Sequence, residues 1–411
     1  MLDELRAAFA GRHLGTPEEL DRLRRERPAV RVDGGTGPRT WLLTRREDAA
    51  AMLRDPRLSR VAPVASAYPA HAVEMLSGID APRHTALRRA VAATFSTGAV
   101  EQRRPGIEAD AARLLDGLLD RGGPADLYAE FCLPLATRAT WRITGLPEEF
   151  QKDNVRWTYG YLGMTEFTPA ACASSAAAQA QLVAAVVDAK RRCPGDDLIS
   201  ALLARPDVPE ADLSVLVASL HVSGHVKTAV QLASALLVLL RRPDLLARLR
   251  AEPALVPDAV EEVLRFAPVP QVTHSRYATG PMRLAGVDLG RGDTVFAAIA
   301  SANHDERGCP EPHRIRLDRT APVSLTFGHG KHSCLGAVLA RTLLHVGVGA
   351  FLARSDRLRG TAGPAELPWL DGFLARGPIG LPVVVAPAAG SVRPDEGGFP
   401  APSGGIASGT R

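Results

Sequence analysis

The clearest chemical potential in this chain lies in a cysteine within a glycine-rich run. Cys334 falls in the segment 325–341, with glycines at 328, 330 and 336 around it and an apolar helical pattern directly after it. A cysteine at a helix N-terminus meets the positive end of the macrodipole and nearby backbone N–H groups, both of which favour thiolate over thiol. The thiolate is the form in which cysteine serves as a soft metal ligand. Cys132, Cys172, Cys193 and Cys309 are scattered without any C-x-x-C pair, which argues against a disulfide framework or a structural zinc site.

Phe327, Gly330, His332, Cys334 and Gly336 fill the spacing F-x-x-G-x-H/R-x-C-x-G without a gap. On these residues the chain resembles the cytochrome P-450 family of heme-thiolate proteins, in its soluble bacterial, actinomycete-like form. A five-position match at fixed spacing is far more specific than a lone cysteine beside a turn. The resemblance implies heme b (iron protoporphyrin IX) as cofactor and Cys334 as the axial ligand to its iron. It also implies that His332 contacts a heme propionate and that Phe327 packs near the thiolate. Glycines such as Gly336 let the backbone approach the sulfur and donate to it, which tunes the metal.

Further motifs follow in the family's chain order, so that the resemblance covers roughly residues 15 to 385. Glu262 and Arg265 match E-x-x-R, a pair that meets at i,i+3 on a helix. The family completes the pair with an arginine from the loop before the cysteine segment, and Arg314 is the residue expected there, in a structural role. His84 and Arg88 share a helical face at i,i+4, and Arg276 follows the E-x-x-R helix. All three suit contacts to propionates, because carboxylates brought into a protein interior need cations.

The family's oxygen-activating helix carries A/G-G-x-D/E-T, and here the corresponding run departs from it. Gly224, His225, Thr228 and Ala229 keep the register, but Val226 stands at the acid position and Lys227 at that of the catalytic alcohol. Helical spacing puts Ser223, Gly224, Lys227 and Gln231 on the stripe that faces the iron. Thr228 is turned about 100° from that stripe and reaches the alcohol's place only if the helix is bulged. Lys227 is either a desolvated amine acting as acid, base or substrate anchor, or a side chain that snorkels away from the pocket. Gln271, Val272, Thr273, Phe373 and Leu374 are the expected substrate-pocket residues.

Stepping outward, the elements that must position these groups read as mainly α with a small β part. Helices are expected at 17–26, 46–53, 84–95, 100–119, 212–240 and 336–352, cut by Pro and Gly. Short alternating runs from Val272 onward read as a small antiparallel sheet. The resemblance implies that the heme lies between the long central helix and the cysteine loop. Residues 1–385 are expected to form the P-450 domain, and 386–411, dominated by Pro, Gly and Ser, a disordered tail.

Composition is consistent with this. The 411 residues are 46% hydrophobic, enough for a large core, and 49 basic against 45 acidic side chains give no reason to expect nucleic acid as a partner. The N-terminus lacks a signal-peptide pattern, and the apolar runs are shorter than a membrane span, so the expected location is cytoplasmic and the expected state a monomer. The resemblance implies an oxidoreductase, a monooxygenase or oxidative cyclase acting on a natural-product intermediate. Its electrons would come through a ferredoxin reductase and a ferredoxin docking near Lys331. Loss of the acid and the alcohol leaves two alternatives open: a heme-thiolate enzyme that does not activate dioxygen, being peroxide-driven or an isomerase, dehydratase or cyclase, and a non-catalytic heme-binding recruiting protein.

Overall fold

Segments rich in Ala and Leu, bounded by Pro and Gly, form the helices of the computed structural model, which describes residues 12, 14–32, 38–63, 74–161, 169–319, 324–372 and 374–387. The principal helices are α1 (Glu18–Glu26), α2 (Arg46–Arg54), α3 (Arg83–Ala92), α4 (Arg104–Arg121), α5 (Leu133–Thr144), α6 (Pro169–Arg192), α7 (Glu210–Ser223), α8 (Val226–Arg241), α9 (Val256–Phe266) and α10 (Ala337–Leu352). The helix expected at 100–119 divides, because a turn after Glu101 separates Thr97–Glu101 from α4. The apolar stretch 212–240 also divides, at Gly224 and His225.

Helix α8 is the axis of the molecule. Every residue from Ala229 to Leu239 is buried, and the helix packs against α5, α9 and α10. A helix apolar on all sides can be stable only when surrounded in this way. The run Glu210–Arg241 is long and apolar enough to cross a membrane by length and composition, which the sequence reading did not anticipate, but most of it is buried inside the fold. Gly347 on α10 lets the two helices close up, since a Cβ there would lie 2.7 Å from the side chain of Leu232.

The β part is more mixed than the sequence predicts. Strands β1 (Ala29–Arg31), β2 (Thr40–Leu43), β3 (Leu58–Ser59), β5 (Arg276–Ala278) and β8 (Thr294–Ala297) form one sheet in the order β1-β2-β8-β5-β3. The pair β2 and β8 is parallel, with Thr40 opposite Thr294. The N-terminal strands have only two to four residues, too few to show alternation, which is why that region reads as helix and loop. Near the other end of the chain, β12 (Pro382–Val385) lies between β4 (Gly123–Asp126) and β9 (Leu358–Gly360), and β10 (Trp369–Asp371) pairs with β11 (Arg376–Pro378). Hairpin β6 (Met282–Leu284) and β7 (Val287–Leu289) stands apart. Ala386, the first residue of the expected tail, still donates to the Arg357 carbonyl at 2.8 Å, and 388–411 lie outside the described residues.

A buried ion cluster ties α9 to the segment that leads into the cysteine loop. Glu262 accepts two hydrogen bonds from Arg265, both at 2.8 Å, and the two side chains are almost fully buried. The third partner is Arg319, whose Nε donates to both carboxylate oxygens at 2.9 and 3.1 Å. The expectation of Arg314 is therefore corrected. Its guanidinium is exposed and paired with Glu311, while its backbone carbonyl accepts from Arg265 and Arg319. The chain has to turn through Glu311, which adopts a positive φ, before a second arginine can reach the carboxylate. Removing one member of a buried, hydrogen-bonded ion pair costs about 3–5 kcal/mol. Glu262→Gln and Arg319→Leu are expected to lose stability on that scale in urea titrations followed by circular dichroism, whereas Arg314→Ala should stay within about 0.5 kcal/mol of the parent.

Candidate functional site

The loop around Cys334 is built by its backbone. Gly328 and Gly330 sit at φ of 70° and 73°, a region that costs side-chain-bearing residues strain, and a Cβ on Gly330 would lie 3.1 Å from the Leu53 carbonyl. These turns let Gly328 N–H donate to Leu325 O and Cys334 N–H donate to Phe327 O at 2.7 Å. The anchor at the start of the loop is Asn303, the last residue of the short helix Ile299–Asn303, which accepts the Leu325 N–H at 2.7 Å. Cys334 thereby presents its side chain to a cavity of about 340 Å³ between the loop and α7–α8. Burial raises the thiol pKa, and the Gly336 N–H and the Lys227 ammonium oppose it. Burial is therefore the larger influence on the free thiol, against the expectation that the helix N-terminus alone favours thiolate.

One side of the cavity is a cluster of cations and histidines. His84 and His332 stack with ring centroids 4.0 Å apart, both line the cavity, and both ring nitrogens of His332 lack a hydrogen-bond partner. Burial, then Arg276 and His84, depress the His332 pKa to about 2. Burial, then Arg88, lower that of His84. Burial likewise pulls Arg276 down to about 10. Arg60 adds a buried guanidinium to the same wall, its Nε donating to the Ser77 carbonyl at 2.5 Å. The sequence reading missed Arg60, and an arginine in an irregular loop carries no pattern that could have marked it. Asp80 comes only to 3.9 Å from His332 Nε2, so three guanidinium groups around an imidazole without a hydrogen-bond partner suit a further anionic group. The two carboxylates of a heme fit there, and the sulfur of Cys334 fits its metal.

Phe327 and Gly336 both line the cavity, and the Arg341 guanidinium lies 4.5 Å from the Phe327 ring centre, held by Glu261. Val272, Thr273 and Leu374 also line it, as expected. Gln271 does not. It is fully buried and donates to the Pro268 and Val269 carbonyls, stabilising the turn behind the pocket. Phe373 lies outside the described residues.

Opposite the cysteine, the break between α7 and α8 sets the distal wall. Gly224 is required because a Cβ there would come within 2.7 Å of Thr140 Cγ2 on α5. Its carbonyl accepts the Thr228 hydroxyl at 3.1 Å and that of Thr140 at 3.3 Å. A break, rather than an inserted residue, brings Thr228 to the cavity beside Ser223, Gly224 and Lys227. Lys227 does not snorkel away. Burial lowers its pKa, and the negative potential of Cys334 across the cavity partly restores it. Val226, at the expected acid position, is buried in the core.

A scan of family models matches Cytochrome P450 over residues 187–356. The nocardicin C N-oxygenase of Nocardia uniformis subsp. tsuyamanensis is 38% identical over 376 residues, spanning 88% of this chain and 93% of that protein. The mycinamicin IV hydroxylase/epoxidase of Micromonospora griseorubida is 36% identical over 371 residues, 88% and 94% of the two chains. The chain belongs to the cytochrome P450 family. It is a P450-type oxidoreductase that binds heme b. Among solved P450 structures, HinD matches with a TM-score of 0.84 at 36% identity, covering 91% of this chain and 97% of that one. SgvP, described as a thioether synthase of the griseoviridin tailoring step, matches at 0.85 and 31% identity with the same coverage.

The helix break also buries two histidines. His221 and His225 are fully enclosed, and none of their four ring nitrogens has a hydrogen-bond partner. Burial depresses their pKa values to about 4 and about 3. In the unfolded chain histidine titrates near about 6.5, so the unfolded state takes up protons first as pH falls. The stability contributed by keeping these rings neutral is complete above about pH 6.5 and is lost progressively between there and pH 4 or 3. A His225→Phe variant is expected to show a shallower loss of the urea midpoint between pH 6.5 and pH 4 than the parent.

Proposed function

We propose that this P450 is a heme-thiolate monooxygenase or oxidative cyclase acting on a natural-product intermediate, in which Cys334 would hold the heme iron. The observation that supports it is the placement of Cys334 on one wall of a cavity whose side holds His84, Arg88, Arg276 and His332. The relatives support the substrate class, since the names of two of them refer to oxidation of mycinamicin and nocardicin. Bound heme supplies a redox-active iron for oxygen chemistry. The chain's own residues orient it and shield it: the cationic cluster holds the propionates, Phe327 covers the thiolate side, and the apolar distal wall excludes water. Arg276 and His332 act by charge and hydrogen bonding, Gly336 by its N–H toward the sulfur.

Lys227 stands where the family carries its catalytic alcohol, burial lowering its pKa, while the Thr228 hydroxyl donates to the Gly224 carbonyl. Val272, Thr273 and Leu374 complete the substrate pocket. Electrons reach the site from NAD(P)H through a ferredoxin reductase and a ferredoxin that meets the basic surface at Lys331, in a cytoplasmic monomer. A second reading rests on the buried Val226: without a carboxylate in this place, the protein works with peroxide or without an oxidant. Turnover that needs no electron-transfer proteins favours that reading.

Cys334→His tests the assignment of the ligand. The parent holoprotein is expected to give the strongly red-shifted ferrous–CO Soret band of a thiolate-ligated heme, and the variant to lose it while retaining bound heme. The band persisting in the variant would overturn the role of Cys334.

A further inference from the structure

Charge is distributed unevenly around the cavity. Among the described residues that line it, the cations are Arg60, Arg88, Lys227 and Arg276, and no aspartate or glutamate is present. The propionates of heme b account for positive charge in the cluster with His84 and His332. On the other side, a ferric ion, a porphyrin dianion and the cysteine thiolate neutralise one another. Lys227 is thus left without a counterion: no carboxylate among the described residues pairs with it, and it shares the cavity wall with apolar residues such as Leu220, Val269 and Val272. An ammonium enclosed in this way is costly unless an anion joins it.

The backbone adds to the same demand. Lys227 is in the first turn of α8, a helix of 16 residues, where the macrodipole is positive. The break at Gly224 and His225 removes the carbonyls that a continuous helix would offer. The N–H groups of Val226, Lys227 and Thr228 accordingly have no hydrogen-bond acceptor among the described residues. A helix N-terminus with unpaired N–H groups and an enclosed, unpartnered lysine is a built site for one small anion.

We propose that the substrate of this P450 carries a carboxylate, bound by Lys227 Nζ at the N-terminal end of α8. This rests on the heme-thiolate reading, in which the iron, the porphyrin and Cys334 together carry no net charge. The carboxylate supplies the negative charge that the distal wall lacks, and the apolar surface beyond it receives the hydrocarbon part of the molecule. Lys227 is then a specificity residue that fixes which end of the substrate approaches the iron.

The test uses heme-loaded parent, Lys227→Met and Lys227→Arg proteins and a set of probes: saturated fatty acids of increasing chain length, each with its primary amide, measured by isothermal titration calorimetry. The parent is expected to bind at least one acid ten-fold or more tightly than the matching amide. In Lys227→Met that preference should fall to within two-fold with amide affinity unchanged, and Lys227→Arg should keep most of it. Failure of every acid to outbind its amide in the parent overturns the proposal, and so does a preference that survives in Lys227→Met. A nitrogen-ligated ferric spectrum in the parent that disappears in Lys227→Met would also overturn it, because Lys227 would then be bound to iron as a free amine. The ferrous–CO band of each protein separates the two claims: its presence with no acid preference defeats the carboxylate alone, and its absence in the parent defeats the heme-thiolate reading on which the proposal stands.

Discussion

The Glu262 carboxylate is the fixed point of this molecule. It is taken out of water completely, which is tolerable only because Arg265, Arg319 and the Arg316 backbone N–H satisfy its oxygens together. Arg265 lies on α9 and the other two donors on the segment that leads to the cysteine loop, so satisfying one charge brings α9 and the segment 303–319 into a single arrangement. Arg265 extends the constraint by donating to the carbonyls of Asn303 and Pro312. Asn303 in turn receives the Leu325 N–H at the start of the cysteine loop. The sulfur of Cys334 is therefore positioned by a chain of buried polar groups that begins well away from it.

The opposite wall is set by a different constraint, the close approach of α5 to the central helices. Thr140 fills the space that a Cβ on residue 224 would need, and the helix breaks at that glycine. The break has two effects. It frees polar groups at the start of α8 and brings Lys227 and Thr228 to the cavity, and it encloses His221 and His225 where their nitrogens find no partner. Both carry an energetic cost that a continuous helix would avoid, and such departures from regularity concentrate at functional sites. The distal wall is cationic and apolar where relatives of this family carry an acid and an alcohol.

The two walls differ in how tolerant they are. The proximal side depends on buried ion pairs and backbone bonds that act as a unit, so changes there spread through the fold. The distal side depends on one glycine and a few side chains facing open space, so Lys227 can differ from the family pattern without disturbing α8, whose unbroken buried run starts at Ala229. This separation explains how a chain can keep the heme-binding fold while its distal chemistry diverges.

Much of this was legible in the residues themselves. The spacing around Cys334 is a local property, because a turn with two positive-φ glycines followed by a helix is encoded within a dozen positions, and the all-apolar run of α8 marks a buried helix. The E-x-x-R pair was equally readable, being fixed by helical periodicity. Which arginine completes it was not: Arg314 and Arg319 are alike in sequence, and only the path of the chain through Glu311 decides that the second reaches Glu262. For the same reason Gln271 was misplaced by its neighbours Val272 and Thr273, and Arg60 was invisible, since which way a loop side chain points depends on packing from distant segments. The sequence by itself determined the cofactor loop, the family and the departure at Val226 and Lys227. Only the tertiary structure decided that the central helix breaks, that Lys227 faces the cavity and that no described acid accompanies it, because those outcomes depend on Thr140 and on surfaces brought together from across the chain.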